Sequence, residues 1–192
     1  MSDVKNILLV GVGGQGTILA SKILTSGLME AGYDVKMSEI HGMSQRGGNV
    51  STQVRYGKEV MSPIVGKGSA DVIVAFERME ALRWLDHLKI GGRLVVNDFA
   101  IQPAPVNLGV AEYPADIIEL LRSKAEVTTL KAGEIAEELG NPKAMNIVLL
   151  GALVKAIGGL DDVDWNKHVA ANVKPKFKEL NLEAFKRGYD LV

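Results

Sequence analysis

Lys5-Asn6-Ile7-Leu8-Leu9-Val10-Gly11-Val12-Gly13-Gly14-Gln15-Gly16-Thr17 is the stretch on which the fold turns. Its apolar residues run consecutively from Ile7 to Val10, the pattern of a parallel strand buried on both faces. Glycines follow at once in the spacing G-x-G-x-x-G. From Gln15 to about Ala31, residues Ile18, Leu19, Ile23, Leu24, Leu28 and Met29 recur at helical spacing, and Gly32 supplies the stop. Tyr33–Met37 predicts a second strand. The opening therefore reads as a βαβ unit, whose crossover is right-handed in nearly all proteins.

Beyond it, Ser38 to Asn49 is polar, contains three glycines and has no period, which predicts a loop. Val50, Thr52, Val54 and Tyr56 alternate with Ser51, Gln53 and Arg55; Gly57-Lys58 then turns the chain into Glu59–Met61, which predicts a half-buried antiparallel hairpin. Asp71–Phe76 and Arg93–Asn97 read as buried strands flanking a helix over Met79–Leu88. Pro103 and Pro105 keep 98–107 out of any central strand. Helices over 115–123, 132–139 and 143–157, a short strand over 126–130 and a Lys- and Glu-rich helix over 172–189 complete the chain. The C-terminal helix carries Phe177, Leu180, Leu182 and Phe185 as its expected apolar face. With no internal repeat or linker, the expectation is a single domain over residues 1–192. Its fold class is three-layer α/β/α with a Rossmann-like sheet, mostly parallel, carrying an inserted antiparallel hairpin.

Composition narrows the chemistry. With 22 Lys+Arg against 23 Asp+Glu among 192 residues there is no basic field of the kind that draws a protein to nucleic acid. The count of 0 Cys excludes a disulfide framework, a thiolate zinc site, a Cys nucleophile and an iron–sulfur cluster ligated by this chain. No apolar run at the N-terminus is long enough for a signal peptide, and the apolar stretch Met145–Leu160, interrupted by Asn146 and Lys155, reads as a buried helix instead of a membrane span. A cytoplasmic protein is expected. His41, His87 and His168 are too scattered for a metal site, and no nucleophile elbow supports a hydrolytic triad. Trp84 and Trp165 read as core or interface anchors. Lys174, Lys176, Lys178, Lys186 and Arg187 interleave with Glu179, Glu183 and Asp190, an ordinary solvated helix face.

Two segments remain as candidate sites. The turn Gly11, Gly13, Gly14, Gln15, Gly16 and Thr17 can present backbone N–H groups and a helix N-terminus to a phosphate; alternatively its glycines serve only the tight strand-to-helix crossing. A dinucleotide reading also needs an acid for the ribose, and Glu39, 23 residues after Gly16, is the only candidate. The second segment, His41, Ser44, Gln45, Arg46, Gly47 and Gly48, joins an imidazole, a hydroxyl, an amide and a guanidinium to glycines that expose backbone donors. It can hold an anion or a carbonyl, or it can be a solvated loop. A stand-alone NAD(P)-binding oxidoreductase is the rival these motifs leave open.

Taken together, several segments resemble a known family: Gly11–Thr17 with Ala20-Ser21-Lys22, Glu39–Gly48, Val54-Arg55, Ser62-Pro63-Ile64 and Gly68–Asp71. The likeness extends through Phe76-Glu77, Glu80-Ala81-Leu82, Gly91-Gly92, Asn97, Leu139–Asn141, Asn146 and Leu150–Ala152, and so covers most of the chain. The family is the gamma-type subunit of 2-oxoacid:ferredoxin oxidoreductases. Within it, His41–Gly48 looks most like the small subunit of the indolepyruvate members; the pyruvate, 2-oxoglutarate and 2-oxoisovalerate enzymes are the alternatives. The resemblance implies oxidative decarboxylation of an arylpyruvate with CoA as co-substrate, giving an acyl-CoA, carbon dioxide and reduced ferredoxin. It places thiamine diphosphate, Mg and the 4Fe-4S clusters in a large alpha subunit. It leaves this chain without a firmly bound cofactor, a catalytic residue, a metal or turnover of its own. It also makes His41, Ser44, Gln45, Arg46, Gly47 and Gly48 the expected surface toward the alpha subunit or CoA.

Overall fold

A computed structural model describes residues 4–42 and 47–192; Ser44, Gln45 and Arg46 lie outside the described residues. The elements, in chain order, are β1 (Lys5–Val12), α1 (Thr17–Glu30), β2 (Asp34–His41), β3 (Asn49–Gly57), β4 (Ala70–Ala75), α2 (Arg78–Arg83) and β5 (Leu88–Asn97). There follow α3 (Ala104–Asn107), α4 (Ile117–Arg122), β6 (Glu126–Leu130), α5 (Ala132–Glu138), α6 (Met145–Ile157), α7 (Trp165–Asn172) and α8 (Lys178–Tyr189). The strands form one sheet in the order β2-β3-β1-β4-β5-β6. β4, β5 and β6 run parallel to β1, whereas β3 is antiparallel to both its neighbours, β1 and β2.

The four consecutive apolar residues of β1 are divided between two cores, as the pleat of a central strand requires. Ile7 and Leu9 pack beneath α1, α5, α6, α7 and α8. Leu8 and Val10 pack beneath α2 and α4 on the other face. All four are fully buried, so the expected three layers are present.

The antiparallel element is present, but its pairing differs from the expected one. Glu59–Met61 forms no strand, and β3 pairs over its whole length with β1 and β2. The residues after Gly57 are fastened by side chains instead: the Val60 N–H donates to Asp34 Oδ2 (2.8 Å) and Arg55 donates to the Ser62 carbonyl (2.9 Å). Nor is β3 half-buried. Its polar Ser51, Thr52 and Gln53 are buried with its valines, and Gln53 Oε1 accepts the Val65 N–H at 2.6 Å. The expected loop is shorter too, because β2 continues through Glu39 to His41. These polar residues occupy an edge strand, where partial exposure removes the need for apolar side chains.

The helix expected over 172–189 begins only at Lys178, after Pro175, and a separate helix, α7, precedes it where none was expected. The buried face of α8 is Asn181, Ala184, Phe185 and Gly188, rotated from the expected Phe177, Leu180, Leu182 and Phe185. The reason is backbone contact with α6. A Cβ on Gly188 would lie 1.8 Å from the Val148 carbonyl oxygen, and one on Gly151 would lie 2.0 Å from that of Phe185. Trp165 is a core anchor: its ring fills the space beside Gly27 and its Nε1–H donates to the Leu160 carbonyl (3.1 Å).

Candidate functional site

The chain leaves β1 toward β2 on one side and later returns to β4 on the other, so the strand order reverses between β1 and β4. Open α/β sheets bind ligands at such a point, outside the carboxyl ends of the strands. A cleft of about 370 Å³ lies there, lined by Val12, Gly47 and Asn49 on one side and by Glu77–Arg83 residues and 101–107 on the other.

The glycine turn borders this edge and is largely satisfied from within. Gln15 folds back so that its Oε1 accepts the Val12 N–H (2.7 Å) while its Nε2 donates to the Phe76 carbonyl (2.9 Å). The Gly13 N–H donates to the Gly48 carbonyl at 2.8 Å. Asn146, the polar interruption in the apolar α6, donates to the Gly16 carbonyl at 3.1 Å. Gly16 has φ +83°, and a Cβ there would sit 2.5 Å from Asn146 Nδ2. A Cβ on Gly11 would sit 2.8 Å from Gln15 Oε1. Close packing thus accounts for these two glycines.

The Gly13–Gly48 bond joins the glycine turn to the far end of the polar segment. Gly47 lines the cleft, whereas His41 is exposed at the end of β2 with Nε2 3.7 Å from Glu39 Oε2. Glu39 also accepts a hydrogen bond from Ser21 Oγ (3.3 Å). With β3 interposed, β2 is no neighbour of β1, so Glu39 does not occupy the strand next to the turn, where a dinucleotide fold places its ribose acid.

Two residues of the cleft wall escaped the reading of the sequence as site residues. Glu77 caps α2, its Oε2 accepting the Glu80 N–H at 3.0 Å. Its Oε1 takes the Ile101 N–H (3.1 Å) and the Tyr113 hydroxyl (2.6 Å), so Glu77 is a fully engaged clamp. Burial and this bond to the carboxylate push the Tyr113 phenol far above its ordinary range. Glu80, 3% exposed, accepts a hydrogen bond from Arg83 at Oε1 (3.0 Å). Burial pushes its carboxyl up against the opposing pull of Arg83, and Glu77 pushes in the same direction as burial. The available signal was spacing: Glu77, Glu80 and Arg83 recur every three residues directly after a buried strand, which puts them on one helix face.

This fold is that of a keto-acid oxidoreductase gamma subunit. The keto/oxoacid ferredoxin oxidoreductase gamma subunit of Geobacter sulfurreducens superposes with a TM-score of 0.71 at 26% identity over 97% of both chains. The 2-oxoglutarate:ferredoxin oxidoreductase of Magnetococcus marinus, at 21% identity and a TM-score of 0.73, carries the same fold within a longer polypeptide: 100% of this chain matches 31% of that one. The chain belongs to the pyruvate ferredoxin/flavodoxin oxidoreductase family, whose model matches residues 6–191. The indolepyruvate oxidoreductase subunit IorB of Pyrococcus horikoshii is 39% identical over 188 residues, spanning 95% of this chain and 93% of its own. The 2-oxoglutarate synthase subunit KorC of Methanothermobacter marburgensis is 30% identical over 98% of this chain.

Proposed function

We propose that this chain is the small subunit of an indolepyruvate, or arylpyruvate, ferredoxin oxidoreductase and works only in complex with a large alpha subunit. The observation that carries this reading is the 39% identity to indolepyruvate oxidoreductase subunits along nearly the whole of both chains. In the reaction the 2-oxoacid loses carbon dioxide, the acyl carbon is oxidised, the electron pair passes to ferredoxin and the CoA thiol takes the acyl group. Thiamine diphosphate supplies the electron sink for decarboxylation and the iron–sulfur clusters carry the electrons. With 0 Cys, this chain cannot furnish thiolates to a cluster, which supports a reading with the clusters in the alpha subunit.

The contribution of this chain is a surface. The edge formed by the glycine turn and residues 41–48 faces the alpha subunit or the CoA substrate in this reading. Its support is the Gly13–Gly48 hydrogen bond, which ties the glycine turn to the end of the polar segment. That edge adjoins the cleft at the strand-order reversal. Among the described residues no helix is long and apolar enough to cross a membrane, which accords with a complex that meets ferredoxin in solution.

The test is anaerobic co-purification from the source cells through a tag on this chain, with an arylpyruvate- and CoA-dependent assay of ferredoxin reduction. A large thiamine-binding partner and activity that prefers arylpyruvates over pyruvate and 2-oxoglutarate are expected. A complex that prefers 2-oxoglutarate or pyruvate would reassign the substrate. A chain that is recovered alone and binds NADH would overturn the reading.

A further inference from the structure

The Glu77 clamp holds a loop whose composition has no use within the chain itself. From Phe99 to Ala111, between Asp98 and Glu112, there is no charged residue, and all of it is exposed save Ile101, Pro103 and Val106, which are half-buried. The other long uncharged runs, Asn6–Ser21 and Ala144–Val154, go into the core through β1, α1 and α6. Here the apolar side chains meet water instead: Leu108 is 79% exposed and Val110 77%. Single exposed apolar residues are ordinary, but a charge-free run of them has the composition of an interface core.

The loop is also fixed in shape by its own bonds. Glu77 Oε1 holds both its ends, through the Ile101 N–H and the Tyr113 hydroxyl, and at its root Arg78 Nε donates to Asp98 Oδ1 at 2.6 Å. Inside it, the Pro103 carbonyl accepts the Val106 and Asn107 N–H groups, and the Pro105 carbonyl accepts those of Val110 and Ala111. Closed ends and internal bonding mark an Ω-loop, and a loop ordered in advance loses less entropy when it docks. Its near side, Ile101, Pro103 and Ala104, lines the cleft at the strand-order reversal, so the loop stands on the same edge of the sheet as Gly47.

These properties select the occupant. A lipid surface would call for Lys or Arg beside the apolar residues, whereas the flanking charges are Asp98 and Glu112. A second copy would offer the same projecting loop, and knob against knob excludes water poorly. A concave, apolar and uncharged surface on a different chain fits, because a charge buried against Leu108 and Val110 would find no counterpart. The fold also occurs attached to larger neighbours: in the Magnetococcus marinus enzyme it is 31% of one polypeptide. In the Pyrococcus horikoshii subunit, of which this chain matches 93%, it is a chain of its own and has only surface contact with which to hold a neighbour. We infer that the loop from Ile101 to Tyr113, with Leu108 and Val110 as its contact residues, is a preformed knob that docks into an apolar, uncharged groove of the large alpha subunit, and that Glu77 is the positioning residue that holds it ready. The identity of that partner rests on the function proposed above.

The experiment co-expresses the tagged full chain with the alpha subunit and measures how much alpha subunit each form retains: wild type, Leu108→Lys, Val110→Lys and the conservative Leu108→Met. Both positions face water, so the lysine variants are expected to keep the urea midpoint of the wild-type chain. Each is expected to retain at least tenfold less alpha subunit, while Leu108→Met retains as much as wild type. Amide hydrogen exchange over 104–111, which needs no variant, is expected to be slower in the wild-type complex than in the chain alone. Tyr113→Phe, which removes one bond to Glu77, is expected to speed that exchange in the free chain and to lower retention. Wild-type retention by both folded lysine variants, or exchange that does not slow in the complex, would overturn the inference. A free chain that dimerises, and that Leu108→Lys makes monomeric, would also overturn it by giving the loop to a second copy. A complex that depends on Leu108 but oxidises no arylpyruvate would leave the knob standing and remove the proposed substrate instead. A wild-type chain that retains no alpha subunit would remove the proposed function and the inference together.

Discussion

Glu80 shows how one side chain can oppose the stability of the fold that holds it. Its carboxyl is pushed up chiefly by burial, so its folded pKa lies above its unfolded value. The neutral form is favoured in the folded chain, and stability that is fully present below the unfolded pKa is lost as pH rises through the folded one. Glu80→Gln, neutral and of the same shape, is expected to be more stable than wild type near neutral pH, the gain fading as pH falls through the carboxylate range. Urea midpoints measured from about pH 4 to about pH 8 check this; a gain that persists at the acid end would show that the charge is not its origin. The glycine turn is the contrasting residue-level case. Its positions were legible because G-x-G-x-x-G after an apolar run has few other uses. The reasons for two of them, the folded-back Gln15 and the distant Asn146, were not, since nothing in local spacing reports that residue 146 meets residue 16.

Among the elements, β1, α1, β4 and α6 were legible because each is a long or strongly apolar segment. β3 was misjudged because alternation of polar and apolar residues normally reports one wet face, whereas here Ser51, Thr52 and Gln53 are all buried and Gln53 accepts the Val65 N–H. Gln53→Met, which leaves the Val65 N–H without its acceptor, should cost about 1–3 kcal/mol in urea unfolding. Faster hydrogen exchange at Val65 would locate the loss, and an unchanged midpoint would mean that the bond is replaced. The rotated face of α8 escaped notice for a related reason: it includes an asparagine and a glycine, which hydrophobic periodicity does not count. Gly188→Ala forces α8 off the backbone of α6 and should destabilise the fold by about 3 kcal/mol. A smaller change, within about 0.5 kcal/mol, would contradict the contact geometry of the two helices.

For the whole molecule, the sheet order decides which residues share an edge. The sequence proposed the glycine turn and the polar segment as separate candidates, and the intercalation of β3 brings the end of one to the end of the other. The wall supplied by α2 and residues 101–107 could not be read, because no local pattern says which loop returns to the end of β1. Arg46→Ala belongs to this scale: it is expected to raise the CoA or arylpyruvate requirement of the complex or to weaken assembly. Steady-state kinetics together with the mass of the purified complex measure both, and no change in either would exclude such a role for Arg46.

The antiparallel course of β3 has a consequence for how such subunits diversify. A parallel βαβ crossover must carry the chain back along the full length of the strands, so its length and sequence answer to the fold. Residues 42–48 instead join the adjacent ends of β2 and β3, already locked by the His41–Val50 register and by the Gly42 N–H donating to the Asn49 carbonyl at 3.1 Å. A connection between the paired ends of two antiparallel strands answers to the fold only at those ends, and such connections tolerate exchange of residues and length. Selection can therefore rewrite this connection as a unit without refolding the sheet beneath it.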